Sequence, residues 1–157
     1  MNDTIKQNKL EENIQRFIHC NEKTRELTLE SETDLIKQAG NISLPQLQIV
    51  LTVGAHEPCT MSDLAKILRL SQANITQLVT RLVDKKYLKR SPSREDRRVT
   101  YVVLLAKGKK VIELHDKHVQ AFAMKWFDVM TDEEQEIMLS AWERVIKQNM
   151  ASLHPQG

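Results

Sequence analysis

The sequence of 157 residues is poor in the residues that mark several common protein classes. Its only two cysteines, Cys20 and Cys59, cannot build a disulfide framework or a paired metal motif. Four glycines and four prolines are too few for the many turns of an all-β fold. The N-terminus lacks the apolar segment of a signal peptide, and the longest apolar run, Tyr101–Ala106, is too short to span a bilayer. We therefore expect a mainly α-helical cytoplasmic protein with no membrane partner.

The sequence patterns of common catalytic sites are also missing. There is no nucleophile elbow around a serine, no glycine-rich loop that could hold a phosphate, and no pair of carboxylates in a glycine-bounded site. We expect that the protein is not an enzyme and that it uses no cofactor.

The positive charge of the chain is concentrated in its middle. The formal net charge is only +2, but residues 61–110 contain 13 Lys or Arg against 4 Asp or Glu, a local charge of +9. The other residues include 10 basic and 17 acidic side chains, a charge of −7. A basic segment between acidic ends is typical of a module that binds a polyanion.

Apolar residues at helical spacing predict two helices in the first third of the chain. The first runs over residues 6–39, with a weaker and more charged part at 21–34, and stops at Gly40. Ser43 can cap the second helix, which ends before Pro58.

Two shorter helices follow. Residues 59–61 suggest a short strand, Ser62 is the expected cap of the third helix, and Ser71 caps the fourth. One stripe of the fourth helix is apolar, and its opposite face is polar and basic only towards its end. That stripe consists of Ile75, Leu78, Val79, Leu82 and Val83.

A β-hairpin and two long helices complete the chain. Segments 87–90 and 99–105 are β-like and enclose a charged tip at 91–98. A long helix is expected over 107–130, and Thr131–Glu134 reads as a capping box that starts the last one.

Two short helices joined by a tight turn and followed by a hairpin with an arginine-rich tip are the element order of a winged helix-turn-helix. The exposed face of the fourth helix can read base edges in the major groove, where amides pair with adenine and arginine with guanine. Cationic side chains of the hairpin can neutralise phosphates or enter a narrow minor groove. The expected DNA-binding residues are Ser71, Gln72, Ala73, Asn74, Thr76, Gln77, Thr80, Arg81, Arg90, Arg94, Asp96, Arg97 and Arg98.

Asp96 is an acidic residue within this basic tip. We expect its carboxylate to hold a neighbouring guanidinium in position, as paired carboxylates and arginines do.

From residue 35 to residue 111 the sequence resembles the MarR family of bacterial transcriptional regulators. The resemblance rests on Leu64–Leu68, on Ser71–Leu82 and above all on the wing, where Asp96 and Arg98 fall on the family's D-x-R motif. It implies a homodimer on a pseudo-palindromic operator, usually a repressor that a small-molecule effector or oxidant releases. The implied organisation is an N-terminal dimerisation helix at 1–40, a winged helix-turn-helix domain at 41–106, and C-terminal helices at 107–157 that complete the dimer interface.

Three positions depart from the family pattern. Lys86 stands where glycine is common before the wing; if that backbone is left-handed, the lysine costs about 1 kcal/mol. Leu105 stands where a threonine often caps the long helix. Arg94 replaces a common proline in the wing tip.

Three residues outside the basic segment allow other functions, namely Cys20, His115 and His118. Cys20 lies where some family members carry a peroxide-sensing cysteine, but the tyrosine-supported environment is absent, so a redox-responsive regulator is only an alternative. His115 and His118 share one helix face and could contribute to a metal site, yet a further ligand from another helix is not evident, and no metal is expected.

A winged-helix module that only contacts proteins, or an architectural DNA binder without sequence preference, are further alternatives. The basic middle of the chain disfavours the first.

Overall fold

The computed structural model describes residues 2–40, 42–93, 95–96 and 98–153. It comprises two compact units, residues 1–116 and 117–157. The predicted fold class, mainly α-helical with a small β-hairpin, is confirmed. The helices and strands in chain order are α1 Asn2–Gln38, α2 Leu44–Ala55, β1 Cys59–Thr60, α3 Met61–Leu68, α4 Gln72–Asp84, β2 Leu88–Pro92, β3 Thr100–Leu104, α5 Ala106–Phe127 and α6 Asp132–Leu153.

Two long helices differ from their predicted extents. Helix α1 continues without a break through residues 21–34, where local contacts such as the 3.0 Å ion pair between Lys23 Nζ and Glu26 Oε2 accompany the weak apolar pattern. Helix α5 ends at Phe127, three residues before the expected end. Over the described part of the chain, none of the helices is apolar enough along its length to cross a membrane.

The strands of the first unit form one antiparallel sheet in the order β1-β3-β2. Cys59 of β1 lies opposite Val102 of β3, and β2 pairs with β3 from Leu88 opposite Leu104 to Pro92 opposite Thr100. The predicted hairpin and short strand are therefore both present. The hairpin also extends into the segment expected to be loop, because Pro92 lies on an edge strand and needs no partner for a backbone N–H.

An aliphatic core joins the sheet to the helices of the first unit. Each fully buried Leu, Ile or Val stabilises the fold by about 1.5–3 kcal/mol. Tyr87 is the one aromatic side chain among the buried residues that the structure describes. The largest fully buried aliphatic side chains are Ile42, Ile49, Val50, Val53, Leu64, Ile75, Val79, Leu82, Leu88, Val102 and Val111.

Helix α3 begins at a different residue from the one predicted. Thr60, the last residue of β1, is the N-cap, and its Oγ1 accepts from the Asp63 backbone N–H at 3.1 Å. Asp63 Oδ2 accepts in return from the Thr60 hydroxyl at 2.7 Å and from the Thr60 N–H at 2.9 Å, and these two bonds, the hydroxyl's first, lower the pKa of the Asp63 carboxyl. The prediction that Ser62 caps this helix was wrong, because the extended backbone ends two residues earlier and Ser62 already lies inside the helix.

The second unit begins within α5 and contains α6. The Thr131 capping box is confirmed, since Thr131 Oγ1 accepts from the Glu134 N–H at 3.3 Å and Glu134 accepts from the Thr131 N–H at 2.9 Å. Gln135 Nε2 donates at 3.2 Å to the carbonyls of Phe127 and Met130, which fixes the turn between the helices.

Candidate nucleic-acid interface

Helix α4 separates its apolar and polar residues onto opposite sides. Ile75, Val79 and Leu82 are fully buried and attach the helix to the core. Every side chain predicted to read DNA from this helix and its cap is exposed. These are Ser71, Gln72, Ala73, Asn74, Thr76, Gln77, Thr80 and Arg81.

The turn before α4 sets the angle at which this face is presented. Arg69 adopts a left-handed backbone with φ of 53°, and the Leu70 N–H donates to the Ala65 carbonyl at 3.1 Å, which closes α3. Ser71 then caps α4, since its Oγ accepts from the Asn74 N–H at 3.2 Å. One connecting residue between two capped ends makes this a helix-turn-helix with a short, fixed turn.

The threonine hydroxyls of α4 donate back into the helix. Thr76 Oγ1 donates to the Gln72 carbonyl at 2.8 Å, and Thr80 Oγ1 donates to the Thr76 carbonyl at 2.7 Å. A hydroxyl has one proton, so both side chains offer a ligand only an acceptor oxygen and a methyl group. Asn74 and Gln77 are exposed, and the amide group of each has both a donor and an acceptor.

The wing, residues 88–104, carries the predicted carboxylate–guanidinium pair near its tip. Asp96 Oδ1 accepts from the backbone N–H of Arg98 at 2.9 Å and from its Nε at 3.2 Å. The backbone bond and then the side-chain bond to Arg98 lower the pKa of the Asp96 carboxyl. The Arg98 side chain is nevertheless 91% exposed, so the pair orients a guanidinium that solvent or DNA can reach. The predicted residues Arg94 and Arg97 lie outside the described residues.

One hydrogen bond joins the wing to α4. Arg90, on β2, donates from Nη2 to Thr80 Oγ1 at 2.8 Å. Both side chains are exposed, and the bond places the base of the wing beside the C-terminal half of the polar helix face. The polar face and the cationic hairpin are therefore neighbours on one surface, as simultaneous contact with a duplex requires.

The link between α4 and the wing turns at Lys86, whose backbone is left-handed with φ of 62°. The Lys86 N–H donates to the Val83 carbonyl and the Tyr87 N–H to the Leu82 carbonyl, both at 2.9 Å. These two bonds form a Schellman motif, which usually has glycine at the left-handed position. The condition stated in the sequence analysis is therefore met: Lys86 has a left-handed backbone at a position where glycine is common.

Tyr87 supports this site from behind, a role that the sequence analysis missed. Its buried hydroxyl donates to the Ala39 carbonyl at the end of α1, and Lys107 Nζ lies 4.2 Å from the centroid of its ring. Lys107 Nζ also donates to the Lys85 carbonyl at 3.4 Å. A Cβ on Gly108 would come within 2.4 Å of the Tyr87 carbonyl oxygen. The close packing of α5 against the Tyr87 backbone therefore requires glycine at this position. The sequence offered one sign of this role: Tyr87 is a tyrosine in a chain whose predicted core is otherwise aliphatic, and a buried tyrosine needs a hydrogen-bond partner.

The α5 start has no hydroxyl cap, because Leu105 replaces the usual threonine. The Leu105 N–H instead donates to the Tyr87 carbonyl at 2.9 Å. The start of α5 is thereby anchored to the turn that follows α4.

The two cysteines and His115 lie in different surroundings. Cys20 is exposed, whereas Cys59 is buried, and burial followed by the nearby Asp63 charge raises the pKa of its thiol. His115 Nδ1 lies 3.4 Å from Asp116 Oδ1 of the same helix. No group of three or more potential metal ligands occurs among the residues that the structure describes.

Comparison with known proteins agrees with this geometry. Residues 41–99 match the sequence model of the MarR family. The HTH-type transcriptional regulator PchR of Bacillus subtilis is 24% identical over 139 residues, which cover 83% of this chain and 81% of PchR. A second B. subtilis protein, the uncharacterised HTH-type regulator YfiV, is 35% identical over 78 residues and covers 49% of each chain.

Solved structures share the fold over most of the chain. FabT of Streptococcus pneumoniae, crystallised in complex with DNA, is 25% identical with a TM-score of 0.69, over 87% of this chain and 99% of FabT. The transcriptional regulator Tm0710 of Thermotoga maritima is also 25% identical, with a TM-score of 0.63, over 83% of this chain and 96% of Tm0710. Rv1404 of Mycobacterium tuberculosis has a TM-score of 0.70 at 21% identity, over 81% and 86% of the two chains, and supports the fold alone.

Proposed function

Because this chain belongs to the MarR family of transcriptional regulators, we propose that it binds a pseudo-palindromic operator as a homodimer and acts as a ligand-released repressor. The observation that carries the proposal is the hydrogen bond from Arg90 to Thr80, which puts the wing and the polar face of α4 on one surface. The DNA complex of FabT supports the same use of the fold.

The two parts of this surface have different roles in the proposal. Asn74 and Gln77 on the exposed face of α4 read base edges in the major groove, where amide side chains pair best with adenine. Arg98, held by Asp96, enters the neighbouring minor groove, whose negative potential attracts a guanidinium. Arg81, Arg94 and Arg97 contribute phosphate contacts that raise affinity without reading sequence. Such a regulator would work in the cytoplasm, where the chromosome lies.

The homodimer is proposed from apolar side chains that each unit leaves exposed. Helix α1 exposes Leu10, Ile14 and Phe17 at a spacing of four and three residues, with Phe17 71% exposed. Helix α6 exposes a longer apolar series that includes Trp142 at 54%. Exposed apolar stripes of this kind mark contact surfaces. We assign residues 1–40 and 107–157 to the dimer interface and 41–106 to DNA binding.

Release by an effector requires only a change in the separation of the two α4 helices. A dimer on a pseudo-palindrome must present both recognition helices about one helical turn of DNA apart, roughly 34–36 Å. An effector that binds better to a dimer with a different separation shifts the population away from the DNA-binding state.

The test is a binding titration on the DNA upstream of the protein's own gene, with a scrambled duplex of equal length as control. Footprinting should show a protected pseudo-palindrome, and affinity should fall steeply as salt rises. Gln77→Ala should relax base preference in a site selection more than it lowers total affinity. Equal binding to both duplexes would indicate an architectural binder, and salt-insensitive docking would indicate a protein-interaction module.

A further inference from the structure

Thr80 is engaged twice before any DNA arrives. Its single hydroxyl proton is donated to the Thr76 carbonyl at 2.7 Å, and its oxygen accepts from Arg90 Nη2 at 2.8 Å. The hydroxyl therefore has no proton left for a base and only part of its acceptor capacity. What Thr80 can still present to a duplex without breaking these bonds is its methyl group, which suits contact with a thymine methyl.

Arg90 lies where a small displacement matters for the whole wing. It pairs in the sheet with Val102, which is fully buried, so its backbone is attached to the core. Two further residue pairs separate it from the tip, where Asp96 orients Arg98. At about 3.3 Å per strand residue, the angle of the hairpin at Arg90 decides where Arg98 lies relative to α4.

We propose that Arg90 is a positioning residue that couples the wing to α4 through Thr80. In this assignment the bond holds the major-groove and minor-groove contacts at the separation that one operator half-site demands. Arg90 thereby acts on specificity through another residue and not as a phosphate contact. The inference rests on the proposed function, since it concerns how the same surface binds DNA.

A double-mutant cycle on operator DNA tests the coupling. Thr80→Val removes the hydroxyl but keeps the branched shape, and Arg90→Ala removes its partner. Each should weaken binding about two- to tenfold, the worth of one net hydrogen bond. The double variant should be no weaker than the weaker single variant, because both changes break the same bond.

Two matched controls separate this bond from other losses. Lys89→Ala removes one positive charge from the neighbouring position of β2. Its fold-loss of affinity for the operator and that of Thr80→Val should multiply in the double variant, because the two residues share no bond. Thr80→Ser keeps the hydroxyl and loses the methyl. Arg90→Ala should therefore weaken DNA binding by the same factor in Thr80→Ser as in the unaltered protein. Urea unfolding checks that each variant folds: because all of these positions are exposed, the midpoint should fall by no more than the loss of one net hydrogen bond explains.

The salt dependence distinguishes positioning from charge neutralisation. Thr80→Val and Arg90→Ala should both leave the slope of log affinity against log salt unchanged. If Arg90 contacts a phosphate instead, Arg90→Ala will reduce that slope by about 0.9 and Thr80→Val will have no effect, which overturns the proposal. If the affinity losses of Thr80→Val and Arg90→Ala multiply in a protein that still prefers its operator, only the coupling is rejected. Equal binding of the unaltered protein to operator and scrambled DNA rejects the proposed function itself.

Discussion

Replacing Lys86 with glycine should stabilise the fold. Lys86 occupies the left-handed position of the Schellman motif that ends α4, with φ of 62°, and its side chain is exposed. An L-residue in this conformation costs about 1–2 kcal/mol because its Cβ approaches the following carbonyl oxygen. Glycine has no such strain, but it loses about 0.5–1 kcal/mol more conformational entropy on folding.

The charge of the lysine reduces the expected gain. A cation next to a helix C-terminus is favourable by about 0.3–1 kcal/mol at low ionic strength, and salt screens this term. With the middle of each range, the three contributions predict that Lys86→Gly raises the free energy of unfolding by only about 0.1 kcal/mol at low salt and by about 0.8 kcal/mol at high salt, where the charge contribution is screened. Lys86→Ala, which loses the charge and keeps the strain, should be less stable than both.

The adjacent lysine offers a matched control. Lys85 has the same charge and is also exposed, but its backbone is right-handed with φ of −79°. There the order reverses, because Lys85→Gly gives up entropy without relieving strain and should be less stable than Lys85→Ala. Urea unfolding at one fixed protein concentration measures all four variants, since the stability of the proposed dimer would depend on concentration. Finding Lys86→Gly less stable than Lys86→Ala would refute the argument from backbone strain.

Three further outcomes follow from the contacts described above. Gly108→Ala should destabilise the fold by about 1–3 kcal/mol in urea unfolding, since the new Cβ would meet the Tyr87 carbonyl oxygen, and an unchanged midpoint would contradict that close approach. The Asp63 carboxylate, whose pKa is lowered by Thr60, contributes stability that is present above its ordinary pKa and lost as pH falls through the lower folded value. Asp63→Asn should therefore flatten the acid limb of a stability–pH curve, and an identical limb would exclude this carboxylate. Arg98→Ala should weaken operator binding by about 1–3 kcal/mol in a titration at fixed salt, and unchanged affinity would count against the wing assignment.

Much of the fold could be predicted because its helices carry regular apolar stripes. The stripe of α4 predicted which side is buried, and Ile75, Val79 and Leu82 are indeed fully buried. The pairing of Asp96 with a neighbouring guanidinium was predicted from a carboxylate among arginines, and the structure identifies that guanidinium as the one of Arg98. The start of α3 was missed, because Thr60 and Ser62 are both good caps and the pairing of β1 with β3 decides between them.

The amino-acid order was sufficient for the element sequence, the basic segment and the choice of polar residues for one helix face, since these depend on neighbours within about two turns of helix or across one tight loop. Contacts between residues far apart in the chain could not be read from it. Tyr87 bonding to Ala39 across 48 positions, and Arg90 bonding to Thr80 from another element, exist only after the core has packed the elements together. Side-chain direction at such contacts is set by how whole elements pack, and this is why the joint orientation of helix and wing was decided by tertiary structure.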